Sequence, residues 1–248
     1  MDLSALGIQL SPDFWVALGK IIWINILLSG DNAIVIALAC RGLPASKRQM
    51  GIILGAGAAI LLRIIFTIGI NYVLAFPYLK LIGGILLLWV AYKLLVTEEA
   101  DENSVAASAG LWEAVKTIAV ADVVMSLDNV LAIAAAAKGN NFLIVLGLVI
   151  SIPLIIGGAT ILTSILQRFP ILVWAGAALL GWIAGELIAT EPMVTPHAKQ
   201  LVASLGLPAK LELPVLSGPT YDILAQTIGA LLVVLLGLVF RKKEEHAH

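Results

Sequence analysis

The chain has 248 residues, with 15 Lys and Arg and 16 Asp and Glu, so 12% are charged against about 25% in soluble domains. Apolar residues make up 60% and mean hydropathy is +1.03, too apolar for a soluble fold of this size. This excludes a cytosolic enzyme and a disordered chain. The single cysteine, Cys40, excludes a disulfide scaffold, and the net charge of −1 says nothing about nucleic acid, for which no basic cluster argues.

A polytopic membrane protein remains. Each helical span needs about 20 apolar residues, and the apolar runs predict seven, at 14–40, 51–75, 79–96, 112–137, 142–166, 170–188 and 221–240. Backbone groups in lipid must be satisfied internally, so these are read as helices and the fold as all-α, within one transmembrane domain, 1–240. Residues 1–13 carry Asp2 and Asp13 but no Lys or Arg, unlike the basic leader of a cleaved signal peptide. Segment 97–111, with Glu98, Glu99, Asp101 and Glu102, is expected to be an acidic cytoplasmic linker. Segment 189–220 holds five of the ten prolines and is expected to be an extracytoplasmic loop. Residues 241–248 form the tail. With the N-terminus outside, Arg41, Lys47, Arg48, Lys93, Arg168, Arg241, Lys242 and Lys243 lie inside. Only Lys80, Lys138, Lys199 and Lys210 lie outside. The positive-inside rule favours that orientation, which puts the C-terminus in the cytoplasm.

Residues 15–42 align without a gap on 112–139, with ten of 28 positions identical: Trp15/Trp112, Ala17/Ala114, Ile21/Ile118, Ser29/Ser126, Asp31/Asp128, Asn32/Asn129, Ile36/Ile133, Ala37/Ala134, Ala39/Ala136 and Gly42/Gly139. Phe76-Pro77 then matches Phe169-Pro170, Gly83 matches Gly176 and Trp89 matches Trp182. Each repeat, 14–96 and 112–188, contains three spans. An odd number inserts the second copy from the opposite side, so two inverted three-helix repeats plus a C-terminal helix are expected, a plan common among secondary transporters.

The polar residues inside the spans follow the repeat. The first span carries Asn25, Ser29, Gly30, Asp31 and Asn32; the fourth carries Asp122, Ser126, Leu127, Asp128 and Asn129. Positions 25, 29 and 32 share a helix face, as do 122, 126 and 129. Asp31 and Asp128 fall near mid-bilayer, where a carboxylate costs at least about 2.5–3.5 kcal/mol. Polar glue between helices is one reading. Duplication of the set favours the other, a cation site of oxygen ligands, suited to Mn, Mg or Ca. His197, His246 and His248 lie outside the spans, and Cys40 reads as a packing residue. Arg63, central in the second span, is expected to pair with an aspartate when metal is absent, in a structural or a gating role. Lys20, Lys93, Lys116 and Glu186 read as interfacial, and Gly51-x3-Gly55 and Gly181-x3-Gly185 as packing faces.

Leu-Ser-Gly-Asp-Asn-Ala (28–33) and Met-Ser-Leu-Asp-Asn-Val (125–130), with the stretches 36–44, 80–89 and 180–186, resemble the signatures of the TerC family. The likeness is strongest to its YjbE-type branch of bacterial membrane proteins. The resemblance implies kinship with the LysE-like transporter superfamily and manganese export, and puts the metal on Asp31 and Asp128 with Asn32 and Asn129 beside them. Asn25, Asp122, Ser29 and Ser126 join them by helix geometry. The mismatch of Asn25 with Asp122 leaves the anionic ligands at two or three.

The expected function is export of Mn²⁺ across a bacterial inner membrane by alternating access, coupled to proton antiport. No cofactor is bound permanently, and Mn²⁺ is the substrate. Partners are the divalent ion, the bilayer and protons as counter-ion, with a homodimer left open. The rivals are export of Ca²⁺ or of a basic amino acid, and a non-transporting factor that metallates exported proteins. An enzyme is not expected: Asn follows each aspartate, and Ser29 and Ser126 have no histidine to activate them.

Overall fold

The computed structural model describes residues 12–27, 30–69, 78–96, 105–137, 140–212 and 217–244. They form α1 (Pro12–Leu27), α2 (Gly30–Arg41), α3 (Ala45–Ile68), α4 (Leu79–Val96), α5 (Val105–Ala137), α6 (Asn141–Arg168), α7 (Ile171–Ala189), α8 (Thr195–Ser204), β1 (Lys210–Glu212), β2 (Ser217–Pro219) and α9 (Thr220–Glu244). Prolines punctuate the order. Pro12 opens α1, Pro44 and Pro170 precede α3 and α7, and Pro196 sits in the first turn of α8. Each falls where a missing N–H costs no helical hydrogen bond.

The helices gather into two compact units, Met1–Ala75 with Glu99–Ile165, and Phe76–Glu98 with Leu166–His248. The first therefore holds the first two spans of each expected repeat. The second holds the third span of each, and the last helix. In the first unit α3 packs along α5, and α1 and α2 also lie against α5. The core of this unit is Ile21, Ile36, Leu38, Ile52, Ile118, Ile133 and Leu148, all at most 2% exposed. A methyl added at Gly51 would meet Leu43 Cδ1 at 2.6 Å and Cys40 Sγ at 3.2 Å, and one at Gly55 would strike Ile118. The expected small-residue face is thus in use, and Cys40 is a buried packing residue.

In the second unit α7 packs on both α4 and α9. Its second glycine pair makes a seam. A β-carbon at Gly181 would run into the Gly229 carbonyl, and one at Gly185 into the Ala225 carbonyl. Backbones this close gain dispersion and Cα–H···O contacts that side chains would prevent.

Ala45–Ile68, Asn141–Arg168, Ile171–Ala189 and Thr220–Val239 are each long and apolar enough to cross a membrane. Their outward faces carry large apolar side chains that suit lipid, among them Leu61, Ile65, Ile161, Ile228 and Leu235, each more than half exposed. The expected single span 14–40 is instead two helices, Phe14–Asn25 and Gly30–Arg41, inclined by 47°. The span expected at 51–75 starts six residues earlier, at Ala45, and its helix ends at Ile68. Of the segment expected as a linker, 97–111, residues 97–104 lie outside the described residues and the rest is helical from Val105, where Ala106, Ala107 and Ala109 favour helix. The segment 189–220 is no plain loop. It folds into α8 and a hairpin in which Lys210 faces Pro219 and Glu212 faces Ser217.

Candidate membrane-embedded polar site

Some repeat-equivalent positions share environments, while others differ, Ala37 being buried and Ala134 half-buried. Trp15 and Trp112 are 58% and 59% exposed, Ile21 and Ile118 are 0% and 1%, and Asn32 and Asn129 are 5% and 6%.

Within the first unit, Arg63 of α3 reaches into the polar set and is only 2% exposed. Its Nε donates to Ser126 Oγ at 3.0 Å and its Nη1 to Asn25 Oδ1 at 2.7 Å. Its Nη2 forms an ion pair with Asp122 Oδ1. Ser126 Oγ donates to the second carboxylate oxygen, Asp122 Oδ2, at 3.1 Å. One guanidinium thus ties together α1, α3 and α5 through three of the eight expected metal ligands. Thr67 Oγ1 donates to the Arg63 carbonyl at 2.6 Å, one turn further along α3. A lone charge at this depth would be costly, and pairing with directed hydrogen bonds lowers that cost.

Asp31 lies in the first turn of α2, half-buried, and its Oδ1 accepts the Asn32 N–H at 2.8 Å. A carboxylate there faces the positive end of the α2 dipole. Arg63 and Asp122 both lie within electrostatic reach of it. Asn32 and Asn129 are buried. Ser29 and the side chain of Asp128 lie outside the described residues. Among the described residues, no three of His, Cys, Asp or Glu converge.

The expected pairing of Arg63 with an aspartate is present, and the partner is Asp122. A signal for it was in the alignment. Asp122 replaces Asn25 of the first copy, and no Arg or Lys occupies the second copy at the place of Arg63, near residues 156–160. One extra negative and one extra positive charge both break the repeat. A second polar contact gave no sequence signal. Glu191, 4% exposed, accepts the backbone N–H groups of Lys80 at 3.1 Å and Leu81 at 3.4 Å with Oε2. It caps the start of α4 from 111 residues away in the chain.

The chain matches the integral membrane protein TerC family over residues 10–245. It is 43% identical over 179 residues to the uncharacterized membrane protein YjbE of Bacillus subtilis strain 168, covering 72% of this chain and 82% of that one. It is 27% identical over 192 residues to the uncharacterized membrane protein YkoY of the same organism, covering 70% and 59%. To the inner membrane protein YgdQ of Escherichia coli K12 it is 26% identical over 176 residues, covering 64% and 74%. No solved structure matches it.

Proposed function

We propose that this chain, which belongs to the integral membrane protein TerC family, transports divalent metal cations and exports Mn²⁺. The observation that carries the reading is the commitment of Arg63 to Asp122. Three intramembrane carboxylates, Asp31, Asp122 and Asp128, and one guanidinium leave two negative charges. That is the charge of a site made for a divalent ion. With Asn25, Asp122 and Ser126 bonded to Arg63, the ion falls to the duplicated pair, Asp31-Asn32 and Asp128-Asn129. Hard oxygen ligands of this kind suit Mn²⁺.

The loaded site is then close to neutral. After release, two carboxylates remain in a medium that disfavours them, and protons are the simplest replacement. Export is therefore coupled to proton uptake, and protons compete with metal, so affinity falls as pH falls. The seven helices span the inner membrane with the N-terminus outside, as two inverted repeats. Alternating access comes from the helices of one repeat rocking against those of the other. Export of a basic amino acid is disfavoured. Its carboxylate would need a cationic partner, and Arg63 already donates to three side chains. Ca²⁺ is a competitor to be measured in the same assay.

The test is metal flux into proteoliposomes holding the purified chain and a pH-sensitive dye. Wild type should move Mn²⁺ with opposite proton flow. Asp31→Asn and Asp128→Asn should each abolish the flux at normal protein levels. Flux retained in both variants removes the site assignment, no flux with wild type removes transport in favour of a metallation factor, and metal flux without proton flow removes the antiport.

A further inference from the structure

Residues between Lys199 and Tyr221 line an open cavity that the transport reading does not use. It measures about 450 Å³ and lies in the second unit between α8, the β1–β2 hairpin and the first turn of α9. Lys199 and Lys210 are among its lining residues, and no Asp or Glu is among the described residues that line it. The remaining lining is apolar, with Val202, Leu207 and Pro219 among it, and Tyr221 contributes its ring. The Lys199 Nζ sits 5.7 Å from the centre of that ring, in cation–π range. Lys210 pairs with Glu212 at 3.0 Å, but both side chains are well exposed, 64% and 75%, so the pair is screened and weak.

This chemistry selects the ligand. Two lysines repel a divalent cation, so the cavity is no vestibule for the metal. They attract an anion. Apolar walls offer nothing to a bare phosphate, which prefers a cradle of backbone N–H groups. They suit an anion that carries hydrocarbon. The position agrees. The cavity lies at the start of the apolar helix Thr220–Val239, with Tyr221 where aromatic residues mark the membrane interface. Met193, just before α8, and Leu201 and Leu205, at its end, are 56%, 60% and 61% exposed. Leu201 and Leu205 are four residues apart, on one face of α8 as it ends. Such a face belongs on a bilayer surface.

We propose that this cavity binds an anionic phospholipid, with its phosphate between Lys199 and Lys210 and the upper part of an acyl chain against Val202, Leu207 and Pro219. Headgroup charge and acyl contact together hold α8 and the hairpin at the bilayer surface. The site acts independently of the transported ion.

Native mass spectrometry of the full chain released from nanodiscs tests this. One set holds phosphatidylcholine alone, and the other is mixed with phosphatidylglycerol. Wild type should retain phosphatidylglycerol preferentially. Lys199→Gln and Lys210→Gln should each lower that preference about fivefold. Ala203→Trp, at an exposed position on the cavity wall, should block retention by filling the space with both charges intact. Equal retention of the two lipids by wild type overturns the proposal, as does a preference unchanged in the double lysine variant. Displacement of phosphatidylglycerol by inorganic phosphate also overturns it, in favour of a simple anion site. If Ala203→Trp fails to fold, the lysine variants still decide.

Discussion

The two copies of the repeat carry the same Ser-x-Asp-Asn motif on different backbones. In the first, the helices Phe14–Asn25 and Gly30–Arg41 are inclined by 47°. In the second, α5 runs unbroken from Val105 to Ala137 through the equivalent positions. Gly30 stands where the second copy has Leu127, and glycine is about 1 kcal/mol worse than leucine inside a helix. The second copy has an additional carboxylate, Asp122, paired with Arg63. Near-symmetry in sequence has become a division of labour. One copy bends, and the other is held straight and pinned.

The largest effect should come from removing the pin. Arg63→Met leaves Asp122 buried without its counter-charge and should cost about 3–5 kcal/mol in thermal unfolding in detergent. Arg63→Met with Asp122→Asn should recover most of it. A single variant as stable as wild type would show that the pair holds nothing together. A smaller effect should follow from exchanging the residues at the break. A β-carbon at Gly30 meets nothing within 4 Å, so Gly30→Leu should keep stability or raise it by up to about 1 kcal/mol while metal flux is largely lost. Leu127→Gly should cost about 1 kcal/mol and leave flux nearly intact. Equal flux in the two variants would erase the distinction between bending and straight copies. The smallest effect belongs to the second unit. Glu191→Gln weakens the cap on α4 and should cost about 0.5 kcal/mol, read as faster amide exchange at Lys80 and Leu81 with transport unchanged.

Much of this was legible in the sequence, for definite reasons. Lipid demands long apolar helices, so the positions of α3, α6, α7 and α9 follow from hydropathy. Glycines spaced by four announced the contacts at Gly51, Gly55, Gly181 and Gly185, because only close backbones require them. The bend between α1 and α2 was not read from the sequence, because it depends on how both pack on α5. The choice of Asp122 as the partner of Arg63 depends on tertiary packing of α3 against α5. The hairpin and α8 were hidden because their prolines read as loop, whereas two of them, Pro196 and Pro219, sit at a helix start and a strand end. Glu191 was hidden because its partners lie in another helix far along the chain.

The interleaving of the two units has a consequence for biogenesis. A chain made from its N-terminus has all of the first unit in hand by residue 165. By then α4 has long been synthesised, yet its partners α7 and α9 have not. Its buried face, Leu87 and Val90, must wait in lipid until the last helix inserts and the Gly181–Gly229 seam closes. The second unit is thus the last to assemble, and a chain interrupted before Ile171 would keep its polar site and strand one helix.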